Sequence, residues 1–145
     1  MSLRRVKSDD AVSLNPESFP VAEGEDPWTA EELAEVRAEL LDERERMRRS
    51  LGVAEAGLQD LLSDSDSASG DSADIGSTHF ERNQEMSLAA NAREMLDQVV
   101  LALHLIDTGT YGSCEICGRP IGKGRLQVFP RATMCVACKQ REERR

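Results

Sequence analysis

The run Gly109-Thr110-Tyr111-Gly112-Ser113-Cys114-Glu115-Ile116-Cys117-Gly118, and then Cys135-Val136-Ala137-Cys138 with seventeen residues between Cys117 and Cys135, decides how the rest of the chain is read. Each x2 spacing lets both sulfurs of a pair reach one ion through a tight turn. Four thiolates with no spare ligand suit a closed, tetrahedral, structural zinc site. Gly118 fits the turn that follows the first pair, where amides curl toward sulfur and side chains crowd. A redox CxxC normally stands singly at the start of a helix in a βαβ pattern, and no such pattern is present. All four cysteines fall in the last 32 residues, and in a reducing compartment that arrangement favours a metal over disulfides. Since the cysteines complete the shell, His79 and His104 are read as a tip residue and a packed helix residue.

The zinc ion is expected to stand in for a core. The 145 residues include only five aromatics (Phe19, Trp28, Phe80, Tyr111, Phe129), and 31% of the chain is charged. So few large side chains leave little to line a deep catalytic pocket, and the sequence offers no nucleophile, base or open metal position. The expectation is a non-enzyme whose residues 109–145 form a small four-cysteine zinc finger with a short C-terminal helix. Metal binding of order 10 kcal/mol substitutes there for missing apolar burial.

Upstream of the cysteines the pattern is helical. Thr29-Ala30-Glu31-Glu32 after Pro27 has the form of a capping box. An apolar stripe then recurs every seven residues at Leu33, Leu40, Met47, Ala54 and Leu61, with Val36, Leu51 and Leu58 as a second row. That seam is what a long helix needs to pack lengthwise on another. Residues 63–79 interrupt the period with Ser, Asp and Gly and contain no Lys or Arg, so an acidic turn is expected there. A second helix is expected from about Phe80 to Asp107, with Leu88, Ala92, Met95, Val99, Leu103 and Ile106 on one face and Gly109 ending it. Residues 1–27 carry Pro16, Pro20 and Pro27 without sustained periodicity and read as a flexible tail. The fold expected is therefore mainly α: a tail, an antiparallel two-helix coiled-coil hairpin over 28–108 with its acidic tip near 63–79, and the finger. A compact bundle or a dimer would satisfy the same apolar rows; a monomer is the expectation.

Charge divides by segment. Residues 1–108 hold 24 acidic and 10 basic side chains, net -14, whereas 109–145 hold 3 and 8, net +5. The overall charge of -9 argues against general nucleic-acid or anionic-membrane binding. The basic set lacks the interleaved aromatics of a base-stacking platform. No segment reads as an export signal or membrane span, so a cytoplasmic protein is expected.

The order Gly109-x-Tyr111-Gly112 before the first cysteine pair, Arg125-Leu126 and Pro130 between the pairs, and Cys135-Val-Ala-Cys138-Lys139 resembles the zinc finger of the DksA/TraR family. With the acidic-tipped hairpin the resemblance covers roughly residues 28–145. It implies a regulator that binds bacterial RNA polymerase by inserting the hairpin into the secondary channel, so that the tip approaches the active site and alters initiation. The family's tip motif, two aspartates three apart and an alanine two further on, falls on Asp71, Asp74 and Gly76, with Phe80-Glu81-Arg82 following. Gly76 departs from the motif. Arg119, Arg125 and Lys139 are the basic residues expected to touch polymerase or a ligand. Members of the family hold ppGpp partly through basic residues on the second helix and finger. Here Gln98 and Phe129 stand at matching positions, residues 94–108 contain no Lys or Arg, and only Lys139 matches, so little dependence on ppGpp is expected. The competing readings are a zinc-stabilised protein–protein interaction module and a small nucleic-acid-binding zinc protein.

Overall fold

The computed structural model describes residues 15–67 and 72–144. Among the described residues four helices run in chain order: α1 Ala30–Ser67, α2 Ser72–Thr108, α3 Lys123–Val128 and α4 Val136–Glu143, preceded by a 3-10 turn at Pro16–Ser18. No strand occurs among the described residues; the finger holds one isolated antiparallel bridge, Ser113 to Pro120. No helix of the described residues is long and apolar enough to cross a membrane. The chain divides into two compact units, one formed by residues up to Asp42 together with Gln98 onward, the other by Glu43–Asp97.

In the first unit α1 starts on the expected capping box. The Thr29 hydroxyl accepts the Glu32 amide at 3.1 Å, and the Glu32 carboxylate accepts the Thr29 amide at 3.0 Å. Leu33, Val36 and Leu40 on α1 share a buried cluster with Val99, Ala102, Leu103 and Ile106 on α2. Leu40 and Val99 are fully buried, each stabilising the fold by about 1.5–3 kcal/mol. The Arg37–Asp107 ion pair at 3.0 Å flanks this seam half exposed and contributes about 1 kcal/mol or less. Gly109 ends α2 at φ 82°; the Thr110 amide reaches Leu105 O at 2.9 Å and the Gly109 amide Ile106 O at 3.2 Å. This double closure is a Schellman motif, which favours glycine in the left-handed position.

Part of the expected tail folds against this unit. Phe19 and Trp28 are buried at 3% and 1% exposure in the same cluster as Tyr111, Ile121 and Leu126. The chain between them turns at Ala22–Glu25, and Glu25 accepts the Ala22, Lys123 and Gly124 amides at 2.7, 2.7 and 2.9 Å. The reading of 1–27 as tail therefore does not extend over 15–27. Two aromatics spaced nine residues apart have no periodicity, yet they find their cavity on another part of the chain. Gly112, at φ 108°, is the close approach: an added Cβ would lie 3.3 Å from Pro20 Cγ.

In the second unit Leu51 and Ala54 on α1 and Ala92 on α2 are buried, and Arg93 pairs with Glu55 at 3.0 Å. Gly57 lies beside Glu85, so the partner number falls as the α1 number rises and the two segments run antiparallel. Met47, Leu58, Leu61 and Met95 are half buried. Leu88, expected on the packed face, is 53% exposed. The turn is also shorter than expected: within 63–79, α1 continues to Ser67 and α2 resumes at Ser72. Ser and Asp cost a helix only tenths of a kcal/mol each, and near an N-terminus both are favoured. Residues 68–71 lie outside the described residues.

Candidate metal centre and tip

The finger follows directly on the end of α2 at Thr108. Cys114 and Cys117 sit on a knuckle in which the Gly118 amide donates to Cys114 O at 3.0 Å and the Cys114 amide to Arg119 O at 2.8 Å; Gly118 takes φ 77°, as the spacing requires. Cys135 is the N-cap of α4, and Cys138 lies in its first turn. Tyr111, almost fully buried, ties the two halves together: its hydroxyl donates to Pro130 O at 2.7 Å. Burial pushes the Tyr111 phenol well above its ordinary pKa, so it acts as a neutral donor.

All four sulfurs lie within 4.8 Å of one another, and Cys117 and Cys135 Sγ are 3.8 Å apart. A tetrahedron of Zn–S bonds of about 2.3 Å has edges of about 3.8 Å, so the donor set fits one structural zinc ion. The electrostatics call for a cation. Burial opposes the Cys114 thiolate, yet the Cys117, Cys135 and Ile116 amides aimed at its sulfur bring its pKa down to about 6. Cys138, buried and crowded by the other three sulfurs, is pushed up to about 12. Four adjacent thiolates coexist only around positive charge. Arg141, one turn further along α4, donates from Nη2 to Cys138 Sγ at 3.0 Å.

Residues 109–144 match the family model described as the prokaryotic dksA/traR C4-type zinc finger. The structure of transcription factor DksA2 from Pseudomonas aeruginosa superposes with a TM-score of 0.64 at 30% identity, covering 79% of this chain and 84% of that one. The chain belongs to the DksA/TraR family. The RNA polymerase-binding transcription factor DksA of Caulobacter vibrioides is 39% identical over 75 residues, 52% of this chain and 53% of the relative. This DksA/TraR chain thus spans about half the length of that relative. The factor of the same name from Escherichia coli is 26% identical over 123 residues, 85% of this chain and 79% of the relative.

The other residues singled out in this DksA/TraR sequence are dispersed. Asp71 lies outside the described residues, and Asp74 is the third residue of α2. Gly76 is exposed in α2, with nothing within 4 Å of an added Cβ, so the alanine of the family motif would fit there. Phe80 is 68% exposed. His79 is exposed, its Nδ1 3.0 Å from Arg82; His104, expected to pack, is exposed on α2. Arg119 and Lys139 are exposed and Arg125 is half buried.

Sequence reasoning missed the company that Gln98 and Phe129 keep. Arg131 Nε donates to Gln98 Oε1 at 3.0 Å, and the Arg131 and Arg125 guanidiniums lie 5.1 and 5.7 Å from the Phe129 ring. Spacing in sequence gives no sign of this, since Gln98 and Arg131 meet only through the fold. Lys123, one of the eight basic residues of the finger segment, is structural: its Nζ bonds Glu32 Oε1 at 3.0 Å and Pro27 O at 3.3 Å. In the second unit a groove of about 620 Å³ is lined by Met47, Val53, Ala54, Leu88 and Met95, with Arg46 and Arg49 also on its walls.

Proposed function

We propose that the protein is a transcription regulator, not an enzyme, that binds bacterial RNA polymerase in the cytoplasm as a monomer. The hairpin enters the secondary channel, the finger and helix base rest on its rim, and Asp71 and Asp74 act at the tip. The observation that carries this reading is the joint occurrence of a DksA/TraR finger over 109–144 and a fold matched over 79% of the chain by a DksA2 structure. A carboxylate delivered into a channel can pair with basic polymerase groups or perturb those around the catalytic magnesium. Arg119, Arg125 and Lys139 are assigned to polymerase or ligand contacts, and no sequence-specific DNA binding is expected.

The reading includes little dependence on ppGpp. The guanidiniums nearest Gln98 and Phe129 are engaged locally, Arg131 with Gln98 and both Arg125 and Arg131 with the ring. A polyphosphate site needs charge-assisted contacts from several cations. The test is transcription in vitro with the cognate polymerase, comparing wild type, Asp71→Asn/Asp74→Asn and no factor, each with and without ppGpp. Wild type is expected to change promoter output, while the double variant still binds polymerase and leaves output at the no-factor level. Equal output from all three defeats the reading, and a large ppGpp-dependent change with wild type defeats its ppGpp clause.

A second reading is favoured by the exposed apolar groove alone: the hairpin as a zinc-anchored interaction module for a helical partner other than polymerase. Leu88→Asp separates the two. Loss of polymerase binding places polymerase at this face; unchanged polymerase binding with loss of another partner favours the module.

A further inference from the structure

The four sulfurs differ in what supports them. Cys117 is exposed and Cys135 half buried, whereas Cys138 is 2% exposed and so has little water to hydrogen-bond its charge. In water's place stands the Arg141 guanidinium, with Nη2 3.0 Å from Cys138 Sγ. The contact follows from helix geometry, because residues three apart in α4 lie on one face. A guanidinium keeps its proton at any working pH, so it can only donate here, and a donor of fixed charge favours sulfur as the thiolate.

We propose that Arg141 is an outer-shell residue of the zinc site, which holds Cys138 as the metal-bound thiolate and thereby slows zinc loss. The inference rests on the zinc assignment above. Four thiolates around Zn²⁺ carry two excess negative charges, and burial makes that excess costly at Cys114 and Cys138, 3% and 2% exposed; Cys114 Sγ takes the Ile116 amide at 3.4 Å, and Cys138 has Arg141. An N–H···S bond from a cation offsets it at Cys138 and fixes that sulfur's orientation toward the metal. Partners of this kind typically change metal affinity by about 10–100-fold when removed.

The experiment uses the full chain loaded with one zinc per molecule, a stoichiometry that checks the site independently of Arg141. Zinc transfer to a chromophoric chelator is timed for wild type, Arg141→Ala, Arg141→Lys and Arg144→Ala, with alkylation of Cys138 by iodoacetamide followed by mass spectrometry. Arg141→Ala is expected to release zinc about 10–100-fold faster and to expose Cys138 to alkylation. Arg141→Lys is expected to fall between, and Arg144→Ala, which removes the same charge from the same end, to match wild type. A wild-type rate for Arg141→Ala, or an equally fast Arg144→Ala, overturns the proposal. Should Arg141→Ala not load zinc, Arg141→Lys is compared with Arg141→Gln: slower release from the lysine variant is expected, and equal rates overturn it.

Discussion

The carboxylate of Glu25 accepts the backbone amide of Lys123 at 2.7 Å, while its second oxygen takes the Gly124 amide at 2.9 Å. One side chain from a segment without periodicity thereby satisfies two donors at the start of α3. The Gly124 amide first, then those of Lys123 and Ala22, outweigh burial and hold the Glu25 carboxyl below its usual pKa.

A depressed carboxylate stabilises the fold above its unfolded pKa of about 4.3, and this contribution fades as pH falls through the lower folded value. Glu25→Gln should therefore lower stability by about 1–3 kcal/mol at neutral pH. The gap between wild type and variant should shrink as the solution is acidified below about pH 4. Urea midpoints of both proteins across that window, monitored by the fluorescence of Trp28, check it; a gap that stays constant defeats the linkage.

Tyr111→Phe deletes only the hydroxyl that donates to Pro130 O. The carbonyl is left buried without its partner, at a cost of about 1–3 kcal/mol. Equilibrium urea unfolding of the zinc-loaded protein should show a lower midpoint with an unchanged slope.

Leu40 and Leu88 both sit in apolar rows, yet one is fully buried and the other 53% exposed. Leu40→Ala should cost about 2–5 kcal/mol, whereas Leu88→Ala should stay within about 0.5 kcal/mol. Thermal unfolding by far-ultraviolet circular dichroism distinguishes them, and equal losses would place Leu88 in a packed seam.

Removing zinc leaves four adjacent sulfurs with the Arg141 guanidinium alone, at Cys138, to offset their negative charge. Chelation should loosen the finger and with it the packing of Trp28 on Tyr111, whose ring centroids stand 6.2 Å apart. Trp28 emission should shift to the red on chelation and return on adding zinc, while the helical signal falls only in part.

The finger is legible residue by residue, because metal geometry ties four cysteines to fixed spacings and Gly118 to the turn. The helix boundaries at Thr29 and Gly109 are legible too, since capping is local chemistry. The end of α1 is not: Ser and Asp at 63–67 are compatible with both a turn and an exposed helix, and nothing local separates them. Phe19, Glu25 and Arg131 are illegible for another reason. Their partners stand far off in sequence, at Leu126, Lys123 and Gln98, and only the assembled fold brings them together.

The burial of Phe19 and Trp28 with Leu126 sets a timetable for synthesis. These aromatics leave the ribosome about a hundred residues before their cavity exists, and contacts of such long separation form slowly. Until α3 emerges the growing chain carries two large apolar rings whose cavity is incomplete, a state in which nascent chains invite chaperones or aggregation. The segment from Glu43 to Asp97 forms a compact unit of its own and is complete before α3, which starts at Lys123, so its contacts do not wait on the finger.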